Sequence, residues 1–135
     1  MKVDFAFICD YADVERKINA LGIGFDTIFA SQIPYRHPTF FFVMQLRANV
    51  VEVGKKRLEL HLIDEDGEEV IPPLRTEIDV SKPTGLYSLN RVAMQFGGVE
   101  FKKHGAYSIR ATVDGSEVAA VDFKVSPPPR SGSAS

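Results

Sequence analysis

Tyr107-Ser108-Ile109-Arg110-Ala111-Thr112-Val113-Asp114-Gly115-Ser116-Glu117-Val118-Ala119-Ala120-Val121-Asp122-Phe123-Lys124-Val125 decides the fold class. Tyr107, Ile109, Ala111 and Val113 alternate with Ser108, Arg110 and Thr112, which is the period of a strand with one buried face. Asp114-Gly115 tolerates the positive φ angles of a tight hairpin turn. Ala119, Val121, Phe123 and Val125 then form the returning inward face.

The same period of two runs upstream. Val3, Phe5, Phe7 and Cys9 share one phase, and so do Leu21, Ile23, Phe25, Thr27 and Phe29. Gly22 and Gly24, inside that second stretch, predict a bulge or a closely approaching backbone. Pro34 and Pro38 fence off a loop before a long strand from Thr39 to Val53. There Phe40, Phe42, Met44 and Leu46 face one way and Phe41 and Val43 the other, so both faces need cover. Leu58, Leu60 and Leu62 alternate with Arg57, Glu59 and His61. Asp64-Glu65-Asp66-Gly67 is a hairpin turn, and Glu77 to Val80 and Tyr87 to Phe96 supply further strands, with Val92, Met94 and Phe96 facing in.

About eight strands with no helix between them predict an all-β fold, an antiparallel immunoglobulin-like β-sandwich of about 7–9 strands. Tyr107 bears on this choice. Such sandwiches place a Tyr near the start of their penultimate strand, its ring in the core and its hydroxyl bonded to upstream backbone. The alternative is a plain core aromatic with its hydroxyl at the rim. The expected core draws on Phe5, Phe7, Ile23, Phe25, Phe42, Met44, Leu60, Val92, Met94, Tyr107, Ile109, Val121 and Phe123. Residues 1–126 form the expected single domain, and the Pro-, Ser- and Gly-rich residues 127–135 a flexible tail.

Composition bounds the chemistry. The chain has 135 residues, 16 Lys and Arg against 18 Asp and Glu, and a single Cys. A net charge of −2 predicts no nucleic-acid partner. The basic clusters Lys55-Lys56-Arg57 and Lys102-Lys103-His104 lack interleaved aromatics and read as solvated turns. One Cys excludes an intrachain disulfide and a multi-cysteine zinc site, and its phase with Phe5 and Phe7 makes Cys9 a buried, inert thiol. His37, His61 and His104 show no metal-ligand spacing. The acidic run Asp64 to Glu69 lacks the twelve-residue calcium-loop spacing. No cofactor and no metal are therefore expected. Asp4 and Asp10 interrupt the apolar N-terminus, so it does not read as a secretory signal. With no membrane-length apolar run either, a cytoplasmic protein is expected.

The opening Val3 to Ala12, with its Phe-rich strand ending in Asp10-Tyr11, is followed by Lys17-Ile18-Asn19-Ala20-Leu21-Gly22-Ile23-Gly24-Phe25-Asp26. Together with His37-Pro38 and the acidic hairpin, these residues resemble a family of small uncharacterised bacterial β-sandwich proteins, a domain of unknown function. The resemblance implies a fold and no activity.

The expected role is a non-catalytic binding or assembly module, with a protein partner or self-association and no membrane contact. The alternative is a small-molecule-binding or cryptic enzymatic domain with a pocket between the sheets. The candidate site is the polar set Asp10, Tyr11, Arg16, Asn19 and Asp26. These residues are set among strand ends and small or apolar neighbours, with Tyr11 as an aromatic anchor of the kind that dominates interfaces. An Asp–Arg pair that only stabilises the fold is the competing explanation.

Overall fold

A computed structural model describes residues 1–129. The chain runs β1 (Lys2–Cys9), β2 (Tyr11–Val14), β3 (Ile18–Leu21), β4 (Thr27–Phe29), β5 (Tyr35–Arg36), β6 (Phe40–Ala48), a 3-10 turn (Val50–Glu52), β7 (Gly54–Asp64), β8 (Leu74–Val80), β9 (Ser88–Phe96), β10 (Glu100–Phe101), β11 (Gly105–Val113) and β12 (Ser116–Ser126). Pro127 to Pro129 are exposed and carry no strand. The remainder of the expected tail, 130–135, lies outside the described residues.

The fold is all-β, with no α-helix among the described residues. A three-stranded antiparallel sheet has the order β1-β6-β9 and a five-stranded sheet the order β4-β12-β11-β7-β8. In the larger sheet only β4 runs parallel to its neighbour, β12. The hairpin β2–β3 and the pair β5–β10 complete the structure. The strands number twelve, more than the expected seven to nine, because the stretch read as one strand from Ile18 to Phe29 breaks at a turn and short pairs form in the loops.

Both large sheets turn apolar faces to one core. Phe42, Met44 and Leu46 of β6 meet Leu58, Leu60 and Leu62 of β7, Ile109 and Ala111 of β11, and Phe123 and Val125 of β12, all buried. The β11–β12 hairpin follows the sequence alternation, with Asp114 (φ 48°) and Gly115 (φ 85°) at its turn. Tyr107 closes the bottom of this core. Its ring stacks on Phe123 at 5.7 Å and meets Phe101 edge-on at 4.9 Å. Its hydroxyl donates to the Lys103 carbonyl at 2.6 Å, so this buried polar atom keeps a partner.

The first strand corrects the expected phase. A bulge at Asp4 shifts the register between Val3 and Phe5. Val3, Ala6 and Ile8 consequently pack on the main core, and Phe5 is exposed. The Asp4 carboxylate, which accepts from Gln45 Nε2 at 3.0 Å and Arg47 Nε at 2.7 Å, holds the bulge. Phe7 and Cys9 point to the opposite face, where Cys9, Ala12 and Val43 form a second buried cluster under the β2–β3 hairpin. The expectation that β6 needs cover on both sides is met in this way.

The second correction concerns residues 18–29. Gly22 and Gly24 adopt φ of 69° and 81°, a region open to Gly without penalty, and turn the chain out of β3. Leu21, Ile23 and Phe29 are consequently exposed, at 69%, 60% and 55%, while Ile28 takes the inward position.

Phe42→Ala and Phe123→Ala should each cost ~3–5 kcal/mol in urea unfolding, as large-to-small core truncations do. Ile23→Ala should stay within ~0.5 kcal/mol. Tyr107→Phe should lose about 1 kcal/mol, the net worth of its hydrogen bond. Equal midpoints for the two Phe variants and the parent would contradict the packing described.

Candidate functional site

The exposed turn between β3 and β4 is anchored to the end of β1. Asp10 N donates to Leu21 O at 3.0 Å, and Gly24 N donates to Ile8 O at 3.0 Å. These two bonds press the turn against the Asp10 side chain so closely that a Cβ at Gly22 would stand 2.1 Å from Asp10 Oδ2. A side chain at this position would displace the Asp10 carboxylate, and its φ of 69° is strained for any residue but glycine. The same turn, the edge strand β4 and the segment before β6 surround an open recess of about 450 Å3.

Three kinds of chemistry meet in the recess. Ile23, Phe25 and Phe29 supply apolar walls, Asp10 a carboxylate and His37 an imidazole. Among the described residues the Asp10 carboxylate has no hydrogen bond or ion pair. The His37 ring is half-buried, edge-on to Phe40 at 5.6 Å, with Nδ1 3.3 Å from the Tyr35 hydroxyl. Burial lowers its pKa below the usual imidazole value, and the Asp10 charge opposes that only in part. At neutral pH the ring is therefore uncharged, able to donate through one nitrogen and accept through the other. The recess thus carries one negative charge, one neutral polar ring and solvent-facing apolar surface.

The five residues expected to form a site are distributed by the structure. Asp10 lines the recess. Tyr11 packs edge-on against Phe41 at 5.4 Å, and its hydroxyl lies 3.4 Å from Asp13. Asn19 Nδ2 donates to the same Asp13 at 3.1 Å across the hairpin. Arg16 sits in the β2–β3 turn, at the opposite end of that hairpin, where its carbonyl accepts from Arg91 at 3.0 Å. Asp26 follows the recess turn, with its carboxylate accepting from Thr27 Oγ1 at 3.0 Å and its carbonyl from Lys124 N at 2.9 Å. Neither Asp10 nor Asp26 pairs with Arg16 among the described ion pairs. Sequence reasoning missed Ile23, which it placed in the core, Phe29, which shared its inward phase, and His37, in the loop between Pro34 and Pro38. The available signal was the Gly22-x-Gly24 spacing, since two residues needing positive φ do not sit in one straight strand.

Several charged groups elsewhere pair with each other or with backbone. Asp64 accepts from the backbone of Asp66 at 2.9 Å and of Glu68 at 3.0 Å, shaping the acidic hairpin. Lys103 reaches Asp66 at 2.8 Å and Asp64 at 3.4 Å. His61 bonds Glu69, and His104 Nε2 meets the Ala30 carbonyl at 2.9 Å. Cys9 is buried with its thiol on the Tyr11 carbonyl at 3.4 Å, and burial pushes its pKa up, away from the reactive thiolate.

The chain is thus an all-β protein with a mixed apolar and anionic recess at a sheet edge. Residues 4–126 match the family of unknown function DUF6941, and the chain belongs to that family. No curated protein matches it. Among solved structures it is similar to the Pseudomonas fluorescens alkylpurine DNA glycosylase AlkC bound to DNA containing an abasic site analog. The two share 10% identity with a TM-score of 0.51, over 90% of this chain and 30% of that one. The chain therefore spans about a third of the glycosylase's length, and the likeness is one of fold. It does overturn the expectation of no nucleic-acid partner, because a protein that shares this fold is bound to DNA. The expectation rested on net charge, which averages over the whole surface, whereas phosphate contacts depend on where individual cations stand.

His37 gives a pH prediction. An unfolded imidazole titrates near 6.5 and the folded one lower, so the unfolded chain takes up the proton first on acidification. Stability present above that value should fall as pH drops towards the folded pKa, then level off. Denaturation midpoints measured from about pH 7 to about pH 5.5 should decline for the parent and stay flatter for His37→Asn. Parallel curves for the two proteins would show that His37 is not desolvated.

Proposed function

We propose that this chain is a non-catalytic binding module of the immunoglobulin-like sandwich type, and that it holds a protein partner at the recess beside β4. Support for the sandwich type comes from the Tyr107 hydroxyl on the Lys103 carbonyl, which is the corner bond such domains carry, and from two apolar sheet faces sharing one core. The parallel β4 and the extra short pairs are this chain's departures from the plain pattern.

One observation carries the functional reading. A carboxylate with no protein partner stands among apolar side chains that the fold leaves in solvent, Ile23 and Phe29. Clustered exposed apolar surface with a polar group set into it is the composition of a binding site, whereas scattered single apolar residues are ordinary surface. The buried thiol and the neutral imidazole fit a binding role. The alternative, a small-molecule or enzymatic pocket, draws on the volume of about 450 Å3, which lies within the range of ligand cavities.

Immobilised parent, Phe29→Ser and Asp10→Asn proteins should be compared for capture from source-cell extract, with melting temperatures measured in parallel. The expected result is a protein retained by the parent and lost by both variants, while all three melt alike. The same proteins are titrated with duplex DNA. DNA binding that ignores both substitutions, or capture that does, would replace this reading.

A further inference from the structure

The geometry of the recess narrows what can enter it. Two backbone bonds hold the turn on β1, and the exposed Asp10 carboxylate lies against the turn at Gly22. Asp10 is the one charged side chain lining the recess among the described residues, and its only imidazole, His37, is neutral and does not offset that charge. Asp26 follows the same turn, with Lys124 paired beside Thr27 on the neighbouring strand. Phe25 and Phe29 add aromatic faces, which favour cations. β4 forms the outer edge of the five-stranded sheet, with β12 on one side and no strand on the other among the described residues. An open edge can pair an extended chain through its backbone, with side-chain pockets supplying selectivity.

We infer that the recess takes an arginine or lysine side chain of an extended partner peptide lying along the open edge of β4, with Asp10 as the anion that receives it. This rests on the recess reading above and specifies its ligand. The long aliphatic stem of either side chain would lie against Ile23 and Phe29, and its charged head would reach the carboxylate. An acidic side chain would meet like charge at this position. The occupant is a peptide and not a free amine because the apolar flanks continue out of the recess to Leu21, itself exposed. A small cation would leave that surface uncovered.

The test uses the full chain and end-blocked seven-residue peptides of alternating threonine and valine, their central position being arginine, lysine, citrulline or glutamate. Citrulline keeps the shape of arginine and removes its charge. Fluorescence anisotropy should give tightest binding for arginine and lysine, with citrulline weaker by about tenfold or more, the scale of one charge-assisted hydrogen bond. Asp10→Asn should erase the difference between arginine and citrulline. Gly22→Ala keeps the charge and displaces the carboxylate, and should erase it too; unchanged far-ultraviolet circular dichroism confirms that both variants fold. Agmatine, the free amine, should compete only at far higher concentration than the arginine peptide. Equal binding of arginine and citrulline peptides to the parent overturns the inference. Agmatine competing as well as the peptide also overturns it, in favour of a small-molecule site. The two readings fail separately: a captured protein that still requires Phe29 while arginine and citrulline bind alike sinks the cation and leaves the recess. If Phe29 matters for neither peptide nor captured protein, both fall.

Discussion

The structure depends on β6 being apolar on both faces. Phe42, Met44 and Leu46 face the main core, and Val43 on the opposite side is equally buried. A sheet open to water on one side needs only alternation, with the polar residues turned outward. A strand carrying Phe41 and Val43 on its outer face would leave apolar surface in water, next to a sheet edge prone to pairing with other chains. The protein supplies a second cover, the β2–β3 hairpin, which places Ala12 over Val43 and Cys9, with Ile18 and Ala20 packed alongside. A main core on one side of β6 and a small second cluster on the other replace the single interior of a simple two-layer domain.

That second cover dictates the path of the chain. β1 belongs to the three-stranded sheet and β4 to the five-stranded one, and the hairpin is folded over the outer face between them. To pass from the outside of one sheet to the edge of the other, the chain must turn sharply after β3. Gly22 and Gly24 make that turn, and backbone bonds to Ile8 and Asp10 fasten it. The recess is what remains where the chain crosses. Its walls come from the end of β1, the crossing turn, β4 and the approach to β6, elements that share no regular pairing and so cannot close on each other. The recess is therefore a by-product of covering Val43, and the crossing leaves Ile23 and Phe29 exposed beside it.

Legibility in the sequence followed the same division. The β11–β12 hairpin was readable because one face is buried and the turn is two residues long, although the register shifts once after Ala111 and Ser108, read as outward, is buried. Val92 and Phe96 of β9 and the leucines of β7 followed for the same reason. The first strand was misread because a single extra residue at Asp4 exchanges the faces of everything after it, and alternation alone does not reveal a bulge. The region from Leu21 to Phe29 was misread because apolar spacing there reflects an exposed surface, and periodicity carries no sign for inside or outside. Asp10 was singled out as a polar residue a plain turn would not need, and the structure places it in the recess, yet its neighbours in space, His37 above all, were out of reach. They arrive from the loop before β6, and no local pattern connects residue 10 to residue 37.

The contact between Asp10 and Gly22 separates architecture from chemistry within one pair. Gly22 is required by the turn, through its positive φ, and by the close approach of the carboxylate, so it serves fold and site together. Asp10 contributes its backbone N–H to the fold through Leu21, while its side chain bonds nothing among the described residues. An exposed carboxylate without a partner adds little to stability, and its backbone bond would survive replacement by Asn. Selection for folding alone therefore constrains residue 22 strongly and the side chain at residue 10 weakly. The Asp10 side chain is thus free of a structural task within the described residues, and the backbone bond that it shares with Leu21 does not depend on its charge.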